Sequence, residues 1–150
     1  MTQDDTIDIL NDLIETSKDG QYGFTDAAEH ATSIDIRDIF TARAEECAGA
    51  VSELQILVSQ CGGKPDDSGT VAGAVHRGWT ILRGKLSGFT DLALLEECER
   101  GEDVAKARYR KALEQALPEP IRTIIERQYQ GVLRNHDQMR NLRDRFRAAA

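Results

Sequence analysis

A small set of residues in this chain places groups capable of acid, base or metal chemistry inside otherwise apolar helical stripes: Arg43 and Glu46, Glu99 and Glu102, Gln128, and either Asn135 or His136. Polar groups withdrawn from water need partners or belong to a functional site. Two readings fit. In the first, the set is a structural network in which Arg43 pairs with Glu102 or Glu46 while Gln128 and His136 satisfy what remains. Such a network does not guarantee stability, because desolvating the charges costs about as much as their attraction returns, but it penalises a helix that slips by one turn. In the second, Glu46, Glu99, Glu102 and His136 hold an ion, and so oxygen-rich a set suits iron or manganese. The structural reading is the favoured one.

Other catalytic templates are missing. There is no Gly-x-Ser-x-Gly, no His-Glu-x-x-His and no phosphate-cradling loop, since Gly62-Gly63 runs into Lys64-Pro65 as a turn. Three histidines leave little for general acid and base work. His30 falls near the end of a helix, an ordinary place for a cation. His76, Arg77 and Trp79 stand together, either as an anchor that staples a connecting segment to the bundle or as an interface to a partner or a second copy. Cys47, Cys61 and Cys98 form no C-x-x-C pair and are odd in number, which favours a reducing cytoplasm over a disulfide framework. Cys47 and Cys98 lie on apolar stripes and read as buried fillers.

The elements that must position these residues follow from periodicity. From Asp4 to about His30, Ile7, Leu10, Leu13, Ile14, Ser17, Gln21 and Phe24 recur at three- and four-residue steps, which predicts helix A. Gly20 and Gly23 each cost it about 1 kcal/mol relative to alanine, and they mark either a kink or a place where another backbone comes close. Helix B runs from Ser33 as N-cap to Cys61 and stops at Gly62 and Gly63. Val71, Ala74, Val75, Gly78, Trp79, Leu82 and Leu86 predict a short amphipathic helix capped by Ser68 or Thr70, within a crossover over about 62–89. A connection of that length returns the chain along the bundle and leaves helices B and C parallel. Helix C begins at Thr90, and Pro118 and Pro120 punctuate the turn into helix D.

The expected architecture is all-α, with 1–150 as one domain of four main helices of roughly 25 residues, each about 37 Å long. No segment is apolar enough to span a bilayer, and MTQDDTIDIL is acidic where a secretory signal would be basic. Net charge is −7, and residues 1–60 carry 13 acids against 3 bases while residues 121–150 carry 3 acids against 7 arginines. The two regions are expected to attract each other within one bundle. The alternative is a docking surface of Arg140, Arg143, Arg145 and Arg147 for an anionic partner, which the acidic total makes a poor match to nucleic acid. Glu96, Glu97, Glu99, Glu102 and Asp103 read as a solvated face with one or two members turned inward, several of them paired at helical spacing with Arg100, Lys106, Arg108 and Arg110.

On the residues LNDLIETSKDGQYGF in helix A, HRGW at 76–79, ECERGED at 97–103 and NHDQMRNLRD at 135–144, the chain resembles a proteobacterial ferritin-like four-helix-bundle family catalogued as a domain of unknown function. The resemblance implies a fold, and ferritin-like chains often dimerise, but it brings no established activity; a link to stress handling, as in some ferritin-like proteins, comes with it. Ferritin-like di-iron centres take a carboxylate from each of two helices and a Glu-x-x-His pair from each of the other two. Here the corresponding pairs are Glu46-x-x-Gly49 and Gln128-x-x-Gly131. Glycine cannot ligate, and neutral glutamine is a poor substitute for a bridging carboxylate. The functional expectation is a non-enzymatic structural or interaction protein, with a metal-binding member using an atypical carboxylate-rich site as the alternative.

Overall fold

The structure, a computed structural model, describes residues 1–67, 69–81 and 89–149. Its helices are α1 (Gln3–His30), α2 (Ile34–Gln60), α3 (Val71–His76), α4 (Asp91–Leu113) and α5 (Glu119–Ala149), and no strand occurs among the described residues. Each start is set by local chemistry. Thr2 and Asp5 form a reciprocal capping box on α1, and the Ser33, Thr70 and Thr90 hydroxyls accept from the backbone N–H groups of Ile36, Gly73 and Ala93 to begin α2, α3 and α4. Gly62 at φ +79° ends α2 in a left-handed conformation that a side chain would strain.

Contacts along the helices give their directions. Thr32 and Ser33, where α1 ends and α2 begins, donate to the Asp91 carboxylate at the start of α4, and Arg43 meets Glu102 further along both. Helices α2 and α4 therefore run parallel. Gln3 reaches the Cys61 carbonyl, so α1 and α2 are antiparallel, as are α4 and α5, which meet through Tyr109 and Gln128 near one end and Glu96 and Arg147 at the other. Helix α5 closes the square beside α2, and these two neighbours approach each other least.

The helix within the crossover is shorter than expected. Helix α3 stops at His76 because Gly78 takes φ +113°, so Gly78 and Trp79 lie beyond it rather than on its stripe. Ser68, Leu82 and Leu86 lie outside the described residues. What holds the segment is Trp79, wedged between Gly23 of α1 and Gly101 of α4, with its ring edge-on to Phe24 at 5.7 Å. A Cβ on either glycine would overlap the indole. Helix α1 is continuous through Gly20 and Gly23, and what approaches them is a side chain in each case, Cys47 at Gly20 and Trp79 at Gly23, rather than another backbone.

The apolar core falls into two clusters. One joins Phe24, Phe40, Trp79, Leu94, Leu95 and Met139, and the other Leu10, Leu13, Ile14, Leu54, Tyr109 and Ile125. Each fully buried Leu, Ile or Phe contributes roughly 1.5–3 kcal/mol. Between the clusters lies a polar belt.

Candidate functional site

The belt is built from one or two side chains per helix. From α2, Arg43 points inward and is 7% exposed, and from α4, Glu102 is 2% exposed. Arg43 Nε donates to Glu102 Oε1 at 3.0 Å and Nη2 to Oε2 at 3.3 Å, a two-point fork across the centre of the bundle. Arg43 Nη1 also donates to Glu46 Oε2 at 3.1 Å. Burial raises the Glu102 carboxyl above its ordinary range, with Arg43 pulling in the opposite direction. Burial would lower the Arg43 guanidinium, but Cys47, Glu102 and Glu46 outweigh it, and the group is held above its usual value.

A second chain of hydrogen bonds touches all four main helices. Ser17 Oγ of α1 lies 3.2 Å from the Tyr109 hydroxyl of α4, which donates to Gln128 Oε1 of α5 at 2.9 Å. Gln128 Nε2 donates to Glu53 Oε1 of α2 at 2.9 Å, and Arg127 also holds that carboxylate. Burial raises the Tyr109 hydroxyl. For Glu53 burial also acts upward, but the bonds from Gln128 and Arg127 prevail and lower it.

Farther along α4 and α5, His136 Nε2 lies 2.6 Å from Asp103 Oδ1, and Arg143 Nη1 donates to Glu99 Oε1 at 2.6 Å. One ligand atom from each of Glu99, Asp103 and His136 lies within 4.8 Å of the others. His136 Nδ1 is buried without a hydrogen-bond partner among the described residues, and the buried Asn135 amide faces the Glu102 carboxylate.

The sequence-predicted residues thus divide. Arg43, Glu46 and Glu102 come together, but Gln128 and His136 do not complete that group as expected; they join Tyr109 with Glu53, and Asp103, respectively. Glu46 is a correction, because its side chain is 59% exposed, on the outer side of Arg43. Sharing a helix face at three-residue spacing lets it reach back to the guanidinium without being enclosed. The four proposed ligands fall into two places, Glu46 and Glu102 around Arg43, and Glu99 with His136 beside Arg143 and Asp103. His76 is exposed, whereas Arg77 forks onto Asp19 at 2.6 and 2.7 Å and anchors the crossover together with buried Trp79.

Sequence reasoning passed over Ser17, Glu53, Asp103 and Tyr109. Ser17 and Tyr109 carried a signal, as polar members of apolar stripes, but Glu53 is displaced from its stripe by one position and Asp103 is exposed. The charge expectation also shifts. Arg127 pairs with Glu53 of the first sixty residues, but Arg147 pairs with Glu96 and Arg143 with Glu99, so the arginines of α5 also meet acids of α4, and the acids of α4 pair between helices more than along their own.

The belt encloses a cavity of about 410 Å³ that reaches from the crossover side to the cleft between α2 and α5. One glycine from each main helix lines it, Gly20, Gly49, Gly101 and Gly131. Two have packing reasons: Gly101 receives Trp79, and a Cβ at Gly20 would stand 2.9 Å from Cys47 Sγ. Cys47 is itself buried, its thiol pushed up to about 12 by burial, and Cys98 is likewise buried and raised.

No helix among the described residues is long and apolar enough to cross a membrane. No curated protein matches the sequence. Among solved structures, the chain is similar to a mutant of Mycobacterium smegmatis Dps1, with 16% identity over 94% of this chain and 96% of that one and a TM-score of 0.77. The fold is that of a ferritin-like four-helix bundle. The family model described as a domain of unknown function, DUF2383, matches residues 5–115, and the chain belongs to that family.

Proposed function

We propose that this protein is a non-enzymatic ferritin-like bundle with a structural or interaction role, in which an arginine–carboxylate belt occupies the place of a metal centre. The observation that carries the reading is the Arg43 fork on Glu102, a fixed cation already neutralising the innermost carboxylate. The residues do not fit a di-iron centre, since Gly49 and Gly131 stand where imidazoles would be needed and Gln128 is committed to Tyr109 and Glu53. Three free thiols suit a cytoplasmic setting, and a homodimer or protein partner, with a role in stress handling, belongs to the same reading.

The test is elemental analysis of protein purified without chelator or affinity tag, joined to light scattering for its oligomeric state. Far less than one iron or manganese per chain is expected. Stoichiometric metal that disappears in Glu102→Ala while the helical circular dichroism persists would overturn the proposal. A second reading rests on the clustering of Glu99, Asp103 and His136, whose oxygen and imidazole donors suit manganese or iron. Tight manganese binding by calorimetry, lost in His136→Ala and kept in Glu102→Ala, would favour it.

A further inference from the structure

The cavity is closed on its crossover side by Arg77 and Trp79, whereas at the cleft between α2 and α5 its lining includes Gly49 and Gly131, between Glu46 and the contact of Glu53 with Arg127 and Gln128. A Cβ at Gly49 would meet nothing within 4 Å, and one at Gly131 would meet only the Arg134 guanidinium, at 3.7 Å. Neither has positive φ. Packing and backbone conformation therefore give no reason to place a helix-weakening residue at either position, whereas an unobstructed entrance does.

The charges at that entrance point to a ligand. Six arginines and four acids line the cavity in a chain of net charge −7. Five of the arginines are held: Arg43 by Glu102, Arg77 by Asp19, Arg100 by Glu97, Arg108 by Asp12 and Arg127 by Glu53. Arg134 makes no hydrogen bond or ion pair among the described residues. Beside it, buried Asn135 turns its amide toward the Glu102 carboxylate and lines an adjoining groove that shares Glu46, Gly131 and Arg134 with the cavity. The vacant Arg134 guanidinium calls for acceptor oxygens, and its unmatched charge calls for an anion. Behind them the walls include Ala50, Val104, Ala105 and Val132, which suit an apolar group.

We propose that the α2–α5 cleft binds a small amphipathic anion, its carboxylate or phosphate on Arg134 and its compact apolar body in the central cavity. This goes beyond the structural role above and holds whether or not a metal binds elsewhere.

Calorimetric titration of the full chain with benzoate, phenyl phosphate, benzyl alcohol and inorganic phosphate tests it. At least one aromatic anion is expected to bind about tenfold or more tightly than benzyl alcohol and inorganic phosphate, the better of the two identifying the head group. Arg134→Gln should weaken that binding about tenfold. Gly49→Leu should abolish it while circular dichroism and melting temperature are retained, which separates a blocked entrance from a damaged fold. Failure of both aromatic anions to bind at millimolar concentration would overturn the proposal. So would equal binding of benzyl alcohol or inorganic phosphate, or binding that survives both substitutions.

Discussion

Arg43 and Glu102 are the pair on which the interior is most dependent. Removing one partner strands the other charge in a nearly water-free place, so Arg43→Met should cost about 3–5 kcal/mol in urea denaturation, whereas Arg43→Met combined with Glu102→Leu should recover most of that loss. A double variant as unstable as the single would remove the fork from its assigned role. Glu102 also imposes a pH dependence. Burial raises its native carboxyl above the ordinary 4.5, so the folded chain holds this proton more tightly than the unfolded chain does. Its contribution to stability is therefore complete below about 4.5 and is lost as pH climbs through the raised native value. Glu102→Gln cannot titrate, and the stability of the native sequence relative to this variant should fall across that interval before levelling. A flat difference would mean that the carboxyl titrates normally.

At the scale of elements, the helix glycines separate into those that receive a neighbour and those that do not. Gly23→Ala or Gly101→Ala must displace the chain's single tryptophan, and the overpacking should cost about 1–3 kcal/mol with a shift in its fluorescence. Gly49→Ala meets empty space and should instead gain about 1 kcal/mol, seen as a melting point higher by about 2–4 °C. Thermal denaturation of the three variants checks both signs. Helix limits were largely legible beforehand because their signals are local: Ser33 and Thr90 cap as expected, and Gly62 stops α2. The end of α3 was not. Apolar spacing carried the expected helix past His76, but Gly78 turned out to adopt a positive φ, which composition alone does not reveal.

For the molecule as a whole, the four-helix topology could be read from stripe length and from a crossover long enough to make α2 and α4 parallel. The interior polar groups were legible as a class, since Arg43, Glu102, Gln128, Asn135 and His136 are all buried. Their pairings were not, because a partner such as Glu53 or Asp103 sits off its own stripe and is chosen by the distance between helices, which no periodicity encodes. The belt also sets how damage spreads. Leu54 and Leu95 belong to different clusters, so Leu54→Ala and Leu95→Ala should each cost about 2–5 kcal/mol and combine additively to within about 0.5 kcal/mol in urea titrations. Strong coupling would show that the two ends act as one. The three thiols, finally, give the protein a built-in clock: Cys61 is partly open to reagent, whereas Cys47 lies against Gly20 at the cavity and stays protonated. Alkylation should mark Cys61 promptly, and the pace at which Cys47 follows measures how often the helices breathe apart.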